Sequence, residues 1–255
     1  MIVPKLRAPV VFVHGLLGFN RLRLCGVTVA EYFPGIPDHI QAAGNHVRVA
    51  DLSPTKGVVE RAHELKEFLD RELPGEAVHI LAHSMGGLDS RYMISRLGMA
   101  NRVLSLTTIG TPHRGSALAD WGLRRFERLL KPVFSCFGIP RQAFYDLTTT
   151  RCRQFNEEVP AMPGVRYYSV AGNHLGDWFK GRWLLLYKLV KRLEGPNDGI
   201  VSLTSAKYGE SFEVWEGDHL SLVNWPDPVA QARGAWQDRK PQYAHLLGRL
   251  ADEGL

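Results

Sequence analysis

The stretch Val78-His79-Ile80-Leu81-Ala82-His83-Ser84-Met85-Gly86-Gly87-Leu88 runs an apolar strand into a small-x-Ser-x-Gly turn, followed by helical spacing at Leu88, Tyr92 and Leu97. A serine at a sharp strand-to-helix turn has its hydroxyl held out into a cleft, and small residues two before and two after it let the backbone pack closely. Alanine stands at position 82 where a glycine is usual, and its single methyl is small enough for that role. The bland alternative is a serine in an ordinary βα loop. The flanking strand, helix and double glycine weigh against it.

Working outward, Val10–Val13, Val47–Ala50 and Val103–Ile109 repeat the short β-branched or apolar run ending at turn residues. Between the second and third strands Val59, Ala62, Leu65, Phe68, Leu69 and Leu73 fall at helical spacing, and Pro74-Gly75 stops the helix. Strands alternating with helices predict an α/β chain, a mostly parallel central sheet covered on both faces. After Gly110 the rhythm changes: residues 115–160 show no strand but carry Trp121, Phe126, Phe134 and Phe137 in helical patterns, which predicts a helical insertion. Strand character returns at Val165–Val170 and Phe212–Trp215, with a Trp- and Leu-rich segment at 178–193 between them. A last helical region from Pro226 is expected to be divided at Pro241, because proline breaks a helix interior. The expectation is one domain over 1–255, with a helical cap or lid at 115–160 and a second cap segment at 174–194.

Composition excludes several classes. With 255 residues, 45% hydrophobic and 22% charged, the chain can bury a sizeable core and is not globally disordered. A net charge of +5 without dense basic tracts gives no nucleic-acid footprint. Cys25, Cys136 and Cys152 form no CxxC pair, so neither a disulfide framework nor a cysteine metal site is indicated, although one bridge stays open. No apolar run approaches the roughly 20 residues that span a bilayer. The start of the chain lacks the order of an export signal, which implies a cytoplasmic protein as it stands, or a secreted one where a leader has been removed.

A serine hydroxyl is a weak nucleophile and needs a base, which in turn needs an orienting carboxylate. Asp198 in the turn-rich Gly195-Pro196-Asn197-Asp198-Gly199 and His219 after the last strand complete the order Ser, Asp, His. Asp146, Asp177 and Asp218 are rivals for the acid; Asp218 adjoins His219 and reads as solvated or turn-forming. His14, His79, His83 and His113 lie in strands or at their ends, where packing or local hydrogen bonding is the default. Backbone N–H groups stabilise a developing oxyanion best because they are fixed beforehand. Met85, after the serine, offers one and Leu16, in the His14-Gly15-Leu16-Leu17-Gly18 turn, the other. Such chemistry needs no metal or organic cofactor.

The pieces VxVHGLLGF at 11–19, EYFPGI at 31–36, AHSMGGLDSRY at 82–92, TTIGTPHRGS at 107–116, DLTTTRCRQFNEEVP at 146–160, GVRYYSVAG at 164–172, NDGIVS at 197–202 and DHL at 218–220 resemble the bacterial triacylglycerol lipases of the Pseudomonas and Burkholderia type. That resemblance implies an α/β-hydrolase fold, Ser84 as nucleophile, His219 as base, Asp198 as its partner, Leu16 and Met85 as oxyanion donors, and a mobile lid within 115–160. Leu17 and Phe19 are the expected substrate contacts. The family usually binds a structural calcium through two aspartates, one of them two residues after the histidine, where this chain has Ser221. Asp177 lies near the place of the other, and one carboxylate is a poor site for calcium, so no calcium is expected. The family's disulfide has no obvious counterpart.

The resulting expectation is a serine carboxylic-ester hydrolase, a lipase acting on acylglycerols, with lipid or ester as its partner and the oligomeric state open. Close rivals keep the triad and change the substrate: a carboxylesterase for short soluble esters, or an acyltransferase. A catalytically silent binding protein on the same fold is the rival from another class. The aromatic and cationic residues at 178–190 could meet a lipid–water interface, but packing is the preferred reading of that stripe.

Overall fold

In a computed structural model, residues 2–18, 20–24, 27–124, 141–174, 184–234 and 236–255 are described. Six strands form one parallel sheet: β1 (Val10–Val13), β4 (Val47–Val49), β5 (Val78–His83), β6 (Val103–Ile109), β7 (Arg166–Asn173) and β8 (Ser211–Glu216). Their order across the sheet is β4-β1-β5-β6-β7-β8, and each neighbouring pair is parallel. β1 and β5 are buried at every position, as strands covered on both faces must be.

Alternation sorts the side chains into two cores. Val10 and Phe12 of β1, with Leu81, Ile109 and Val170, pack against α1 (Ile36–Ala42) and α10 (Lys240–Asp252) through Ile36, Ile40, Tyr243 and Leu247. Val11 and Val13, with Ile80, Ala82 and Leu106, pack against α2 (Val58–Glu72) and α3 (Met85–Arg96) through Leu65, Leu69, Met93 and Ile94. Ala62, Leu65, Phe68, Leu69 and Leu73 are buried as their spacing demands, whereas Val59 is 39% exposed, on the solvent side of the stripe.

The chain leaves β1 for β4 on one side and then, through α2, reaches β5 on the other. The carboxyl ends of β1 and β5 therefore flank the point where the strand order reverses, the usual place for a ligand crevice in an open α/β sheet. The loops after β1, β5, β7 and β8 all open at this end.

The structure adds elements that the sequence reading does not contain. An antiparallel hairpin, β2 (Arg21–Leu24) with β3 (Val27–Glu31), and the helix α1 fill the segment between β1 and β4. Two four- and five-residue strands and a seven-residue helix are too short for periodicity to reveal. Pro241 does not divide a helix interior: α9 (Pro228–Ala232) has ended before it, and Pro241 sits in the first turn of α10. There its missing N–H is one that has no intrahelical partner in any helix. Within 115–160 the described residues are helical at 117–124 (α4), at α5 (Arg141–Asp146) and at α6 (Thr149–Glu158). The segment 174–194 ends in α7 (Leu184–Glu194). The remaining short helix, α8 (Leu203–Ala206), precedes β8.

Candidate active site

Ser84 links β5 to α3 with φ 54° and ψ −129°, a conformation that non-glycine residues rarely adopt. The surroundings over-determine it. The Ser84 N–H donates to the Ile109 carbonyl at 2.9 Å, and its own carbonyl accepts from the Thr111 hydroxyl at 2.8 Å. At Gly86 a Cβ would lie 2.7 Å from the His14 carbonyl oxygen and 2.8 Å from that of Val13, so only glycine lets α3 pack this closely on β1. Met85 is the first residue of α3, where N–H groups have no intrahelical acceptor and the helix dipole favours negative charge.

Asp198 and His219 come together from the loops after β7 and β8. His219 Nδ1 donates to Asp198 Oδ2 at 2.7 Å, with both side chains almost wholly buried. The other carboxylate oxygen accepts the N–H groups of Ile200 at 2.9 Å and Val201 at 2.7 Å. The His219 N–H also donates to the Asp198 carbonyl at 2.9 Å, so backbone and side chain both tie the two loops. An imidazole whose Nδ1 carries the hydrogen presents Nε2 as a base. Ser84 and His219 line the same cavity of about 670 Å³, together with Leu16, Leu17 and Tyr32.

The rival acids are otherwise engaged. Asp146 accepts from the Val58 N–H at 2.8 Å and from Gln142 at 2.7 Å, joining α5 to the start of α2. Asp218 forms a turn, accepting the N–H groups of Leu220 and Ser221, and is buried rather than solvated. Asp177 lies outside the described residues, as do Phe19, Cys25, Cys136, Phe126, Phe134, Phe137 and the aromatic residues Trp178, Phe179 and Trp183. Leu17, with φ 57° and 52% exposure, stands at the cavity mouth. Cys152 is a free, buried thiol, pushed up to about 12 by desolvation.

Two residues with no assigned part in the sequence reading tie the site together. The Gly15 N–H donates to the Tyr32 hydroxyl at 3.1 Å, that hydroxyl donates to His83 Nδ1 at 2.8 Å, and His83 Nε2 donates to the His219 carbonyl at 3.0 Å. The chain of bonds has one consistent direction only if His83 is neutral. Desolvation, helped by the nearby His219, holds it well below the usual imidazole value, and burial lifts Tyr32 to about 12. The expected local bond is found at His14, whose Nδ1 pairs with the Gly15 carbonyl, but His83 has no local partner and bonds Tyr32 and His219, 51 and 136 residues away, which no local pattern can show.

The cavity wall is mostly apolar. Leu118, Trp121 and Leu123 of α4 and Phe144 and Leu147 from the α5 region line it together with Ser84. The Ala117 N–H donates to Glu194 at 2.6 Å, which ties the start of α4 to the end of α7. In α7 Val190 is buried while Leu185 is 82% exposed, so the segment both packs and presents apolar surface.

No family model matches the chain. It is 31% identical to triacylglycerol lipase 2 of Saccharomyces cerevisiae over 87% of its own length and 81% of that protein's. The chain belongs to the triacylglycerol lipase family. Within that family it is also 28% identical to the triacylglycerol lipase of Pseudomonas fragi, over 98% of both chains. The Staphylococcus hyicus lipase structure superposes with a TM-score of 0.76 at 18% identity, covering 99% of this chain and 98% of that one, which establishes the α/β-hydrolase fold. The mature Bacillus licheniformis lipase BlEst2 gives a TM-score of 0.68 at 25% identity, covering 89% and 91%.

Among the described residues, those beside His219 do not fit the calcium that the sequence resemblance implies. Ser221 stands where the aspartate would be, and its hydroxyl donates to the Asp218 carbonyl at 2.8 Å. The Asp218 carboxylate receives two backbone N–H groups, and the Ser221 carbonyl accepts from Arg239 Nε at 3.3 Å. Calcium needs six to eight oxygens; here the oxygens face hydrogen-bond donors, and a guanidinium already supplies the positive charge. Among the described residues, no cluster of three or more His, Cys, Asp or Glu could hold a metal ion, and none of the helices is long and apolar enough to cross a membrane.

Proposed function

We propose that this chain hydrolyses the carboxylic esters of acylglycerols through an acyl-enzyme on Ser84. The buried 2.7 Å bond between His219 and Asp198, in a site where His219 shares an apolar cavity with Ser84, carries the reading. His219 Nε2 takes the Ser84 proton as the hydroxyl oxygen attacks the ester carbonyl, and Asp198 stabilises the imidazolium that forms. The Leu16 and Met85 N–H groups receive the oxyanion. Collapse breaks the bond to the alcohol, which leaves with the proton from His219; water then repeats the cycle on the acyl-enzyme and releases the fatty acid. The apolar wall from α4 and α5 accepts the acyl chain, with Leu17 at its mouth, and 115–160 acts as the lid. The exposed apolar side chains of Leu185 and Leu17 support a lipid–water interface as the place where substrate is met.

The yeast and Pseudomonas fragi relatives are named triacylglycerol lipases, which favours long-chain glycerides over short soluble esters. Hydrolysis of p-nitrophenyl esters from acetyl to palmitoyl, and of emulsified triolein, tests the reading in wild type and Ser84→Ala. Turnover that includes palmitoyl ester and falls by on the order of 10⁴ or more in Ser84→Ala is expected. A folded wild type with no turnover on any ester contradicts it.

A further inference from the structure

Arg239 precedes α10 and is buried, with 4% exposure, yet among the described residues its guanidinium forms no salt bridge and donates to backbone carbonyls. Nη2 donates to the carbonyl of Glu216, three residues before His219, and Nε donates to that of Ser221, two residues after it, at 3.3 Å. The planar fork thus spans both ends of the loop that carries His219. Its contact with that loop is close: a Cβ at Gly217, where φ is +149°, would lie 2.6 Å from Nη2 and 2.3 Å from Ser221 Oγ. The Arg239 N–H donates to Asn224 Oδ1 at 2.8 Å, and Asn224 Nδ2 donates to the Pro34 carbonyl at 2.9 Å, which anchors the clamp to the segment before α1. Burial lowers the Arg239 pKa from its ordinary value, while the charges of Asp218 and Glu216 act the other way.

We propose that the Arg239 guanidinium takes the place of a divalent cation beside His219: it gathers the carbonyl oxygens of Glu216 and Ser221 at the two ends of the His219 loop and holds the imidazole in register with Ser84, making activity independent of calcium. Arg239 touches no substrate and is a positioning residue. The inference rests on the ester-hydrolase reading. A guanidinium suits the task because its donors lie in one rigid plane and it cannot lose its charge; lysine offers one point charge and cannot bridge two carbonyls in the same geometry.

The test compares wild type, Arg239→Met and Arg239→Lys on a soluble p-nitrophenyl ester, in chelator and in added calcium, together with amide hydrogen exchange. Wild-type kcat is expected to be the same in chelator and in calcium. Arg239→Met is expected to lose kcat by on the order of 10²-fold with KM little changed, since a misplaced catalytic group costs about that much, and Arg239→Lys to fall between. The Leu220 and Ser221 amides should exchange faster in Arg239→Met while those of β5 and α3 do not. Where Arg239→Met fails to fold, Arg239→Lys carries the same comparison. Loss of wild-type activity to chelator with recovery in calcium, a folded Arg239→Met with wild-type kcat, or faster exchange spread evenly over the molecule each overturns the clamp. A wild type without ester turnover instead sinks the hydrolase reading, and the exchange measurement still judges the clamp on its own.

Discussion

Ser84 carries its φ of 54° with a Cβ that the left-handed region disfavours, and such residues cost on the order of 1–3 kcal/mol. The hydrogen bonds from Ile109 and Thr111 and the start of α3 hold it there, and the strain is what lifts the hydroxyl clear of the sheet edge. Ser84→Gly is therefore expected to be more stable than Ser84→Ala by about 1 kcal/mol, with both inactive. Urea unfolding of the two variants measures the difference, and a less stable glycine variant would show that the backbone is relaxed. Position 82 teaches the complementary point: Ala82 is wholly buried, and a lone methyl fits where the motif more often has glycine. The motif was legible because it is local; the Tyr32–His83–His219 chain was not, because its members are joined only by folding.

At the scale of elements, α2 and α3 are fastened to the loop after β1 by one buried guanidinium. Arg61 Nε donates to Asp89 at 2.7 Å, Nη1 to the Ser53 carbonyl at 2.6 Å and Nη2 to the His14 carbonyl at 2.7 Å. Burial pushes Asp89 up to about 7 against the pull of Arg61. Removing one partner of a buried pair leaves the other stranded, so Arg61→Met is expected to cost about 3–5 kcal/mol in urea unfolding, and Arg61→Met with Asp89→Leu to recover much of it. Equal stability for the single and double variants would show that the pair is not coupled. Helical spacing at 59–73 predicted α2 and its buried face, but Arg61 at that face was invisible to it, since an arginine there reads as a solvated side chain until its three acceptors are assembled. The hairpin of β2 and β3 and the position of Pro241 escaped for the same kind of reason, shortness in one case and neighbouring context in the other.

Across the whole molecule, four of the buried histidines, His14, His79, His83 and His113, are held neutral. Burial lowers His14 and His79 to about 4, and His83 and His113 lie well below their ordinary value for the same reason. Between the usual imidazole value of about 6.5 and the folded value the unfolded chain binds protons that the native chain refuses. Stability is thus fully present above about pH 6.5 and lost as pH falls toward 4, at about 1.4 kcal/mol per pH unit for each histidine fully shifted across that range. Asp89, raised to about 7, works in the opposite direction over the same span, but as one group against four. The urea midpoint is expected to fall between pH 7 and pH 5; a midpoint that holds steady would mean that these imidazoles are not buried as neutral rings.

The sequence by itself determined the alternation of strands and helices, the serine turn and the order Ser, Asp, His, because hydrophobic period and turn chemistry act over a few residues. It also placed Asp198 ahead of its rivals by the loop in which it sits. Tertiary structure alone decided that His219 meets Asp198 rather than Asp218 or Asp146, that Tyr32 and His83 join the loop after β1 to the loop after β8, and that Arg239 occupies the oxygens around Ser221. Those partners lie 18 to 136 residues apart along the chain. Their meeting is set by strand order and by the need of buried donors and acceptors to be satisfied together.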